Sequence, residues 1–443
     1  MNKQHLFPLF RIGLMLTGLF VCCFLPAGGE NYPYRSDVLW VTAPDHADWI
    51  YKTGEQASVT VSVYLYGILQ ENIEIAYSAG PEQFPDDTRG SIRTENGKAV
   101  IPVGTLQKPG FRDCKFSVAL NGETYRHHLK VGFSPEQIRP VVGMPDDFRA
   151  FWEKTLQEAA ACPFEVSVRY VEKFSSPAVA CYGVKLQCFK KGSYVYGYLT
   201  KPKAPGKYPV VFNPPGAGIK PMDPVKTLYL AENGLICFNM EIHGLDPALD
   251  EATYRDLSAA FRDNNSYLTN GLDNRDNYYL KKVYAACIRT LDYLVSLPEY
   301  DGKNLIALGA SQGGALALVT AALDERVTLC VAAHPALADM AAYPTGQAGG
   351  YPHFFTKFNG QDTPEKIAVM ACYDAVNFAR LIRVPVFLTW GFNDNTCPPT
   401  TSYAVYNVIT APKEALITPV NEHWISAGTR MAQVDWIRER LKK

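Results

Sequence analysis

The stretch NLIALGASQGGALALVTAALD, residues 304–324, decides how the rest of the chain is read. It opens on a continuous apolar run, Asn304–Gly309, suited to a central parallel strand. It closes on a helical pattern from Ala315, and between the two lies Gly309-Ala310-Ser311-Gln312-Gly313. Glycine-x-serine-x-glycine is short enough to occur by chance. Set between strand and helix, it predicts a nucleophile elbow, a sharp turn that exposes the Ser311 hydroxyl above a sheet. Larger side chains at 309 and 313 would collide with the neighbouring helix and strand. The helix N-terminus behind the serine favours negative charge developing there.

Working outward, YPVVFN (Tyr208–Asn213), LICFNM (Leu235–Met240), VTLCVAA (Val327–Ala333) and VPVFLTWG (Val384–Gly391) are buried-strand runs of the same kind, and ALITPV (Ala415–Val420) closes the sheet. Helical patterns separate them, notably Phe148–Ala159 and Tyr278–Leu297. Alternating strand and helix predicts an α/β fold, a doubly wound and mostly parallel sheet with right-handed crossovers.

A serine hydroxyl needs a base, and in α/β-hydrolases the chain order is serine, acid, histidine. Of eight histidines, His5 falls in the leader and His46, His127 and His128 in a strand-rich N-terminal part. His423 follows the last strand and precedes a terminal helix expected from about Trp424, which makes it the base. His334 follows an earlier strand and is expected to be structural; His243 and His353 are loop or pocket residues. Asp394, three residues beyond Gly391, is the acid that orients the imidazole. Glu422 adjoins His423 and points away from it. An Asx-turn in GFNDN is the alternative use of Asp394.

At 443 residues the chain has room for two or three domains, and 47% hydrophobic residues suit a globular protein with a full core. A net charge of -1 gives no case for nucleic acid or an anionic membrane surface. Residues 1–29 carry Lys3, Arg11, an apolar run Ile12–Leu25, then Pro26-Ala27-Gly28-Gly29. That layout predicts a signal peptide, hence export to the periplasm or outside, with no integral membrane segment in the mature chain. Lipid attachment at Cys22 or Cys23 is disfavoured by the residues before them. Nine of the eleven cysteines remain after the leader, so at least one is free, and their spacing matches no disulfide framework or zinc site. No metal or cofactor is expected. Residues 30–134 alternate like strands, with ASVTVSVYLYG (Ala57–Gly67) and a hairpin signal at Asn121-Gly122. They predict a small immunoglobulin-like β-sandwich in which Trp40, Trp49, Tyr51, Tyr64 and Tyr66 serve core packing rather than a sugar platform. Residues 135–443 form the catalytic α/β domain.

The catalytic half resembles the acetyl xylan esterase / cephalosporin C deacetylase family. DDFRAFWEKTL (Asp146–Leu156) resembles its entry helix, TNGLDNRDNYYLKKVY (Thr269–Tyr284) the segment before its crossover helix, and SQGGALALVTAALDERV (Ser311–Val327) its elbow. DNTCPPTTSYAVYN (Asp394–Asn407) matches an unusual run of acid, two residues, then Cys-Pro-Pro. The resemblance implies Ser311, Asp394 and His423 as a triad that removes acetyl groups from sugar hydroxyls through an acetyl-serine intermediate. It also implies a homo-oligomer, since related enzymes form rings, an arrangement the added β-sandwich stands to obstruct.

One departure concerns the oxyanion hole, which needs the N–H of Gln312 and a second from the loop after an earlier strand. Where the family carries a tyrosine whose N–H serves, FNPPGAG (Phe212–Gly218) places Pro215, which has no N–H. Gly216 or Ala217 is expected to donate instead. MEIHGLD (Met240–Asp246) likewise replaces an Arg-Gly segment of the family. The expected partner is an acetylated plant-type carbohydrate. The alternatives are a short-chain or feruloyl esterase, or a non-catalytic sugar-binding protein; too few N-terminal strands exist for the propeller of a prolyl oligopeptidase.

Overall fold

The computed structural model describes residues 37–263 and 267–441, and the leader expected at 1–29 lies outside them. Strands between Val38 and Phe133 form two sheets. One contains Val38–Pro44, Ala57–Leu65, Ile68–Leu69 and Ala99–Gly104; the other runs Ile50–Tyr51, Glu123–Phe133, Gly110–Leu120, Glu74–Pro81, Thr88–Arg93. The period-2 pattern expected of Ala57–Leu65 is present, with Ala57, Val59, Val61, Val63 and Leu65 buried. The hairpin signal also holds. Leu120 pairs with Glu123 across Asn121 and Gly122, whose φ values of 52° and 84° give the twist that matches flanking strands. Val59, Val61, Ile75, Phe116, Val118 and Leu129 share one buried cluster across both sheets. Trp49 and Tyr51 are buried and Trp40 stacks on Phe116 and His127, while Tyr66 stands exposed.

The larger sheet has nine strands, in spatial order Val166–Tyr170, Val179–Gln187, Tyr194–Pro202, Ile236–Glu241, Tyr208–Asn213, Tyr300–Ala310, Leu329–Ala333, Val386–Trp390 and Lys413–Ile417. The first three are antiparallel to their neighbours, and from Ile236–Glu241 onward every pairing is parallel. The antiparallel edge went unforeseen because Val166–Tyr170 is exposed and lacks the apolar run of a central strand. Order reverses at Tyr208–Asn213. The chain leaves that strand toward one side and returns on the other as Tyr300–Ala310, which opens a crevice at the carboxyl ends of both.

Helices cover the sheet through their apolar faces. Phe148, Phe151, Trp152, Thr155 and Ala159 of Phe148–Ala160 are buried at helical spacing, and the Trp152 indole donates to the Cys372 carbonyl at 3.1 Å. The helix Gln312–Leu323 is buried almost all round, as its uniform small and apolar composition allows. The terminal helix is Ala427–Arg440, starting later than Trp424 because the Ser426 hydroxyl caps it by accepting from Thr429 N–H at 3.0 Å. All nine cysteines of the described residues are free and buried.

The core of the β-rich unit continues into the α/β unit, where the Phe111 ring meets Phe392 edge-on at 5.0 Å. Beside it, the His128 ring lies 3.0 Å from the Asp113 carboxylate and 3.8 Å from Glu422. Burial opposes charge on this imidazole, but the two carboxylates outweigh it and raise its pKa from 6.5 to about 9. A base that holds its proton more tightly when folded stabilises the fold fully below its unfolded pKa of 6.5, and that contribution fades as pH rises through about 9. His128→Gln is therefore expected to cost about 2 kcal/mol at pH 6, the usual scale for hydrogen bonds to charged groups. Urea melts of both proteins should converge above pH 9, and an unchanged gap there would contradict the assignment.

Candidate active site

Ser311 sits between the strand Tyr300–Ala310 and the helix Gln312–Leu323 at φ 59° and ψ −125°, a backbone region that strains any residue with a side chain. Three hydrogen bonds hold it there. Its N–H donates to Ala333 at 3.0 Å, and its carbonyl accepts from Ala336 at 3.0 Å and from Ala315 at 3.1 Å. The turn closes only because two glycines lack side chains. A Cβ on Gly309 would lie 2.2 Å from the Gly313 carbonyl oxygen, and one on Gly313 would lie 2.3 Å from that of Pro214. Gly309 thus clears the helix, as expected; Gly313 clears the Pro214-Pro215 loop rather than a strand.

Two loops bring partners to the serine. The Nε2 of His423 lies 2.9 Å from Ser311 Oγ, and its Nδ1 lies 2.7 Å from Asp394 Oδ2. The Asp394 carboxylate is wholly buried and the His423 ring about one-quarter exposed, 0% and 26% respectively, so the pair meets solvent only through the imidazole. Burial pushes the Asp394 pKa up, but the hydrogen bond and charge of His423 outweigh this and hold it below the ordinary value. The Asx-turn proposed as an alternative for Asp394 is also present, since Oδ1 accepts the N–H groups of Thr396 and Cys397, both at 2.8 Å. One carboxylate serves both. His423 stands further from its strand than expected, because Lys413–Ile417 ends early. The intervening residues tie the two loops together: Phe392 donates to Pro419 at 3.2 Å and Asn393 to Asn421 at 3.1 Å. Glu422 turns away toward His128.

His334 is not remote from the site. Its ring centroid lies 4.3 Å from that of His423, and burial together with the neighbouring imidazole pushes its pKa down to about 3. It stays neutral and places no charge beside His423. No ligand spacing is visible in the sequence, yet His334, Asp394 and His423 bring possible metal-ligating atoms within 4.8 Å of one another. Both His423 nitrogens are already engaged with Asp394 and Ser311, so a cation there would compete with those bonds. His353 lies against Gln83 at 3.3 Å and within reach of the Thr396 main chain, and burial lowers its pKa to about 4.

The loop facing the elbow is fixed by a tyrosine that sequence reasoning missed. The Tyr267 hydroxyl donates to Gln312 Oε1 at 2.7 Å and accepts from Gly218 N–H at 3.1 Å. His243 packs edge-on against Tyr267 and bonds the Tyr279 hydroxyl at 2.6 Å. Glu241, in the segment that departs from the family pattern, accepts the N–H groups of His243, Gly244 and Leu245 at 2.7, 2.8 and 2.9 Å. Burial raises its pKa to about 7 against those bonds. No short motif announces the Tyr267 and Tyr279 contacts, which join residues 36 to 49 apart in the chain.

A strained serine beside an imidazole–carboxylate pair, at the switch point of a doubly wound sheet, is the arrangement of an α/β-hydrolase. The match of residues 136–440 to the family described as acetyl xylan esterase (AXE1) makes the chain a member of that family. It is 54% identical over 442 residues to the acetyl esterase Axe7A of Xylanibacter ruminicola, covering 99% of this chain and 97% of that protein. Among solved structures it resembles an acetyl xylan esterase from Paenibacillus sp. R4 (TM-score 0.60, 24% identity, covering 69% of this chain and 98% of that one). Acetyl xylan esterase 1 from Thermoanaerobacterium sp. JW/SL YS485 is similar too (TM-score 0.59, 22% identity, 69% and 97%). These two show the shared fold.

Tyr267→Phe leaves a buried amide oxygen and a loop N–H without their partner. The expected cost is about 1–3 kcal/mol of stability, with a lower kcat on p-nitrophenyl acetate as the loop loosens. Denaturant titration and steady-state kinetics on the same preparation would check both.

Proposed function

We propose that the enzyme removes O-acetyl groups from plant-type polysaccharide or oligosaccharide, outside the cytoplasm, through an acetyl-Ser311 intermediate. The observation that carries this is the unbroken relay from Asp394 through His423 to Ser311, with both hydrogen bonds under 3 Å. Family membership and the 54% identical acetyl esterase support the acetyl group. On this reading residues 1–29 are the signal peptide, 30–134 a β-sandwich domain and 135–443 the catalytic domain.

In the first half-reaction His423 Nε2 takes the hydroxyl proton as Ser311 Oγ attacks the acetyl carbonyl carbon. Asp394 accepts from Nδ1–H and stabilises the imidazolium. The oxyanion is held by the N–H of Gln312 at the helix start and by one from the facing loop. Pro214 and Pro215 have no N–H, and that of Gly218 donates to Tyr267, which supports Gly216 or Ala217 as the second donor in this reading. As the tetrahedral adduct collapses, the sugar oxygen departs with the proton from His423. Water then attacks the acetyl-serine with His423 again as base, and acetate leaves.

Acetate release from acetylated xylan, pectin and mannan tests this directly. Ser311→Ala is expected to lower kcat roughly a hundred-thousandfold or more and to abolish labelling by a fluorophosphonate probe. Retained activity in that variant would refute the acyl-serine route. Faster turnover of ferulate than acetate esters would instead favour the feruloyl esterase alternative.

A further inference from the structure

The β-rich unit reaches the Asp394 backbone through a buried lysine. Lys130 lies in the strand Glu123–Phe133 and its side chain is only 1% exposed. Its ammonium donates to Glu82 Oε1 at 2.6 Å and to the main-chain carbonyl of Asp394 at 2.7 Å. Its own backbone N–H donates to the Asn393 side-chain oxygen at 2.8 Å. Glu82 is equally buried, and its second oxygen accepts from the Thr400 hydroxyl at 2.6 Å. Next to it, Gln83 exchanges two hydrogen bonds with Gly349, each 2.9 Å. The strand therefore grips two successive residues of the loop that carries the acid.

Stability alone is a poor reason for this arrangement. A buried ion pair loses so much hydration that an apolar pair of similar size is often as stable or more so. An apolar pair could not donate to the Asp394 carbonyl. That bond fixes the backbone of Asp394, while the N–H groups of Thr396 and Cys397 fix its Oδ1, so the remaining oxygen has little choice of direction. The family match begins at residue 136, beyond Lys130 and Glu82, so this support comes from outside the part of the chain the family shares.

We infer that Lys130, with Glu82 and Asn393, is a positioning residue that holds the acid loop so that Asp394 meets His423, which makes the β-rich unit part of the catalytic apparatus. The inference rests on the Ser311 mechanism proposed above. In Lys130→Met, kcat for p-nitrophenyl acetate should fall roughly tenfold to a hundredfold with KM little changed, the scale of a small misplacement of a catalytic group.

The single variant also leaves Glu82 buried without its partner, so Lys130→Met combined with Glu82→Leu separates fold from positioning. The double variant should regain thermal stability and keep the kinetic defect. Asn393→Ala removes the other grip with the ion pair intact and should lower kcat in the same sense. A folded double variant with wild-type kcat would overturn the inference. Should neither lysine variant fold, wild-type kinetics in Asn393→Ala would overturn it. Neither result touches the underlying mechanism, which fails separately if Ser311→Ala retains activity.

Discussion

The close approach of Gly309 to Gly313 is the constraint on which the rest of the molecule depends. With no Cβ between them, strand and helix can meet at an angle that leaves Ser311 in a strained conformation costing about 1–3 kcal/mol. The hydrogen bond that Ser311 donates to Ala333 and the one it accepts from Ala336 hold that strain in place, and these partners belong to the next strand of the sheet and the turn after it. A hydroxyl fixed at the end of a central strand then has a defined direction, and the loops after the later strands need only bring groups to it. The switch in strand order provides the space in which they converge.

What converges is governed by dielectric as much as by distance. Asp394 is sealed off yet held in its charged form by His423, and His334 is buried and neutral, so the Asp394 carboxylate is the charge that faces the His423 ring. Cys397, also buried, is held far above the usual thiol range by burial and the nearby Asp394, so it adds no competing nucleophile. On the far side of the acid loop, Lys130 and Glu82 form a second charged pair with no access to solvent. The β-rich unit thus contacts the site through polar groups whose geometry is tightly specified, and through the Phe111 ring.

The sequence made the elbow and the order of partners legible because each rests on a local pattern. An apolar strand, two glycines and a helix surround Ser311, while Asp394 and His423 each follow a strand. The hairpin at Asn121-Gly122 was legible for the same reason, since positive φ at two adjacent positions selects those residue types. Tyr267 and Lys130 were not. A tyrosine before a crossover helix and a lysine in LKVGF carry no periodic or motif signal, and their contacts lie 45 and 264 residues away in the chain. His334 was expected to be structural from its place in the chain, but its packing on His423 follows from how adjacent strands align, which no single strand announces.

The two oxygens of the acid have separate tasks, and this makes the residue less replaceable than its charge implies. Oδ1 faces two amide donors, so it must be an acceptor. A carboxamide in the same place would have to turn its oxygen toward those amides and its NH2 group toward the imidazole. The ring would then carry its hydrogen on the wrong nitrogen and present a donor where the serine needs an acceptor. The turn that shapes the loop therefore also dictates the tautomer of His423.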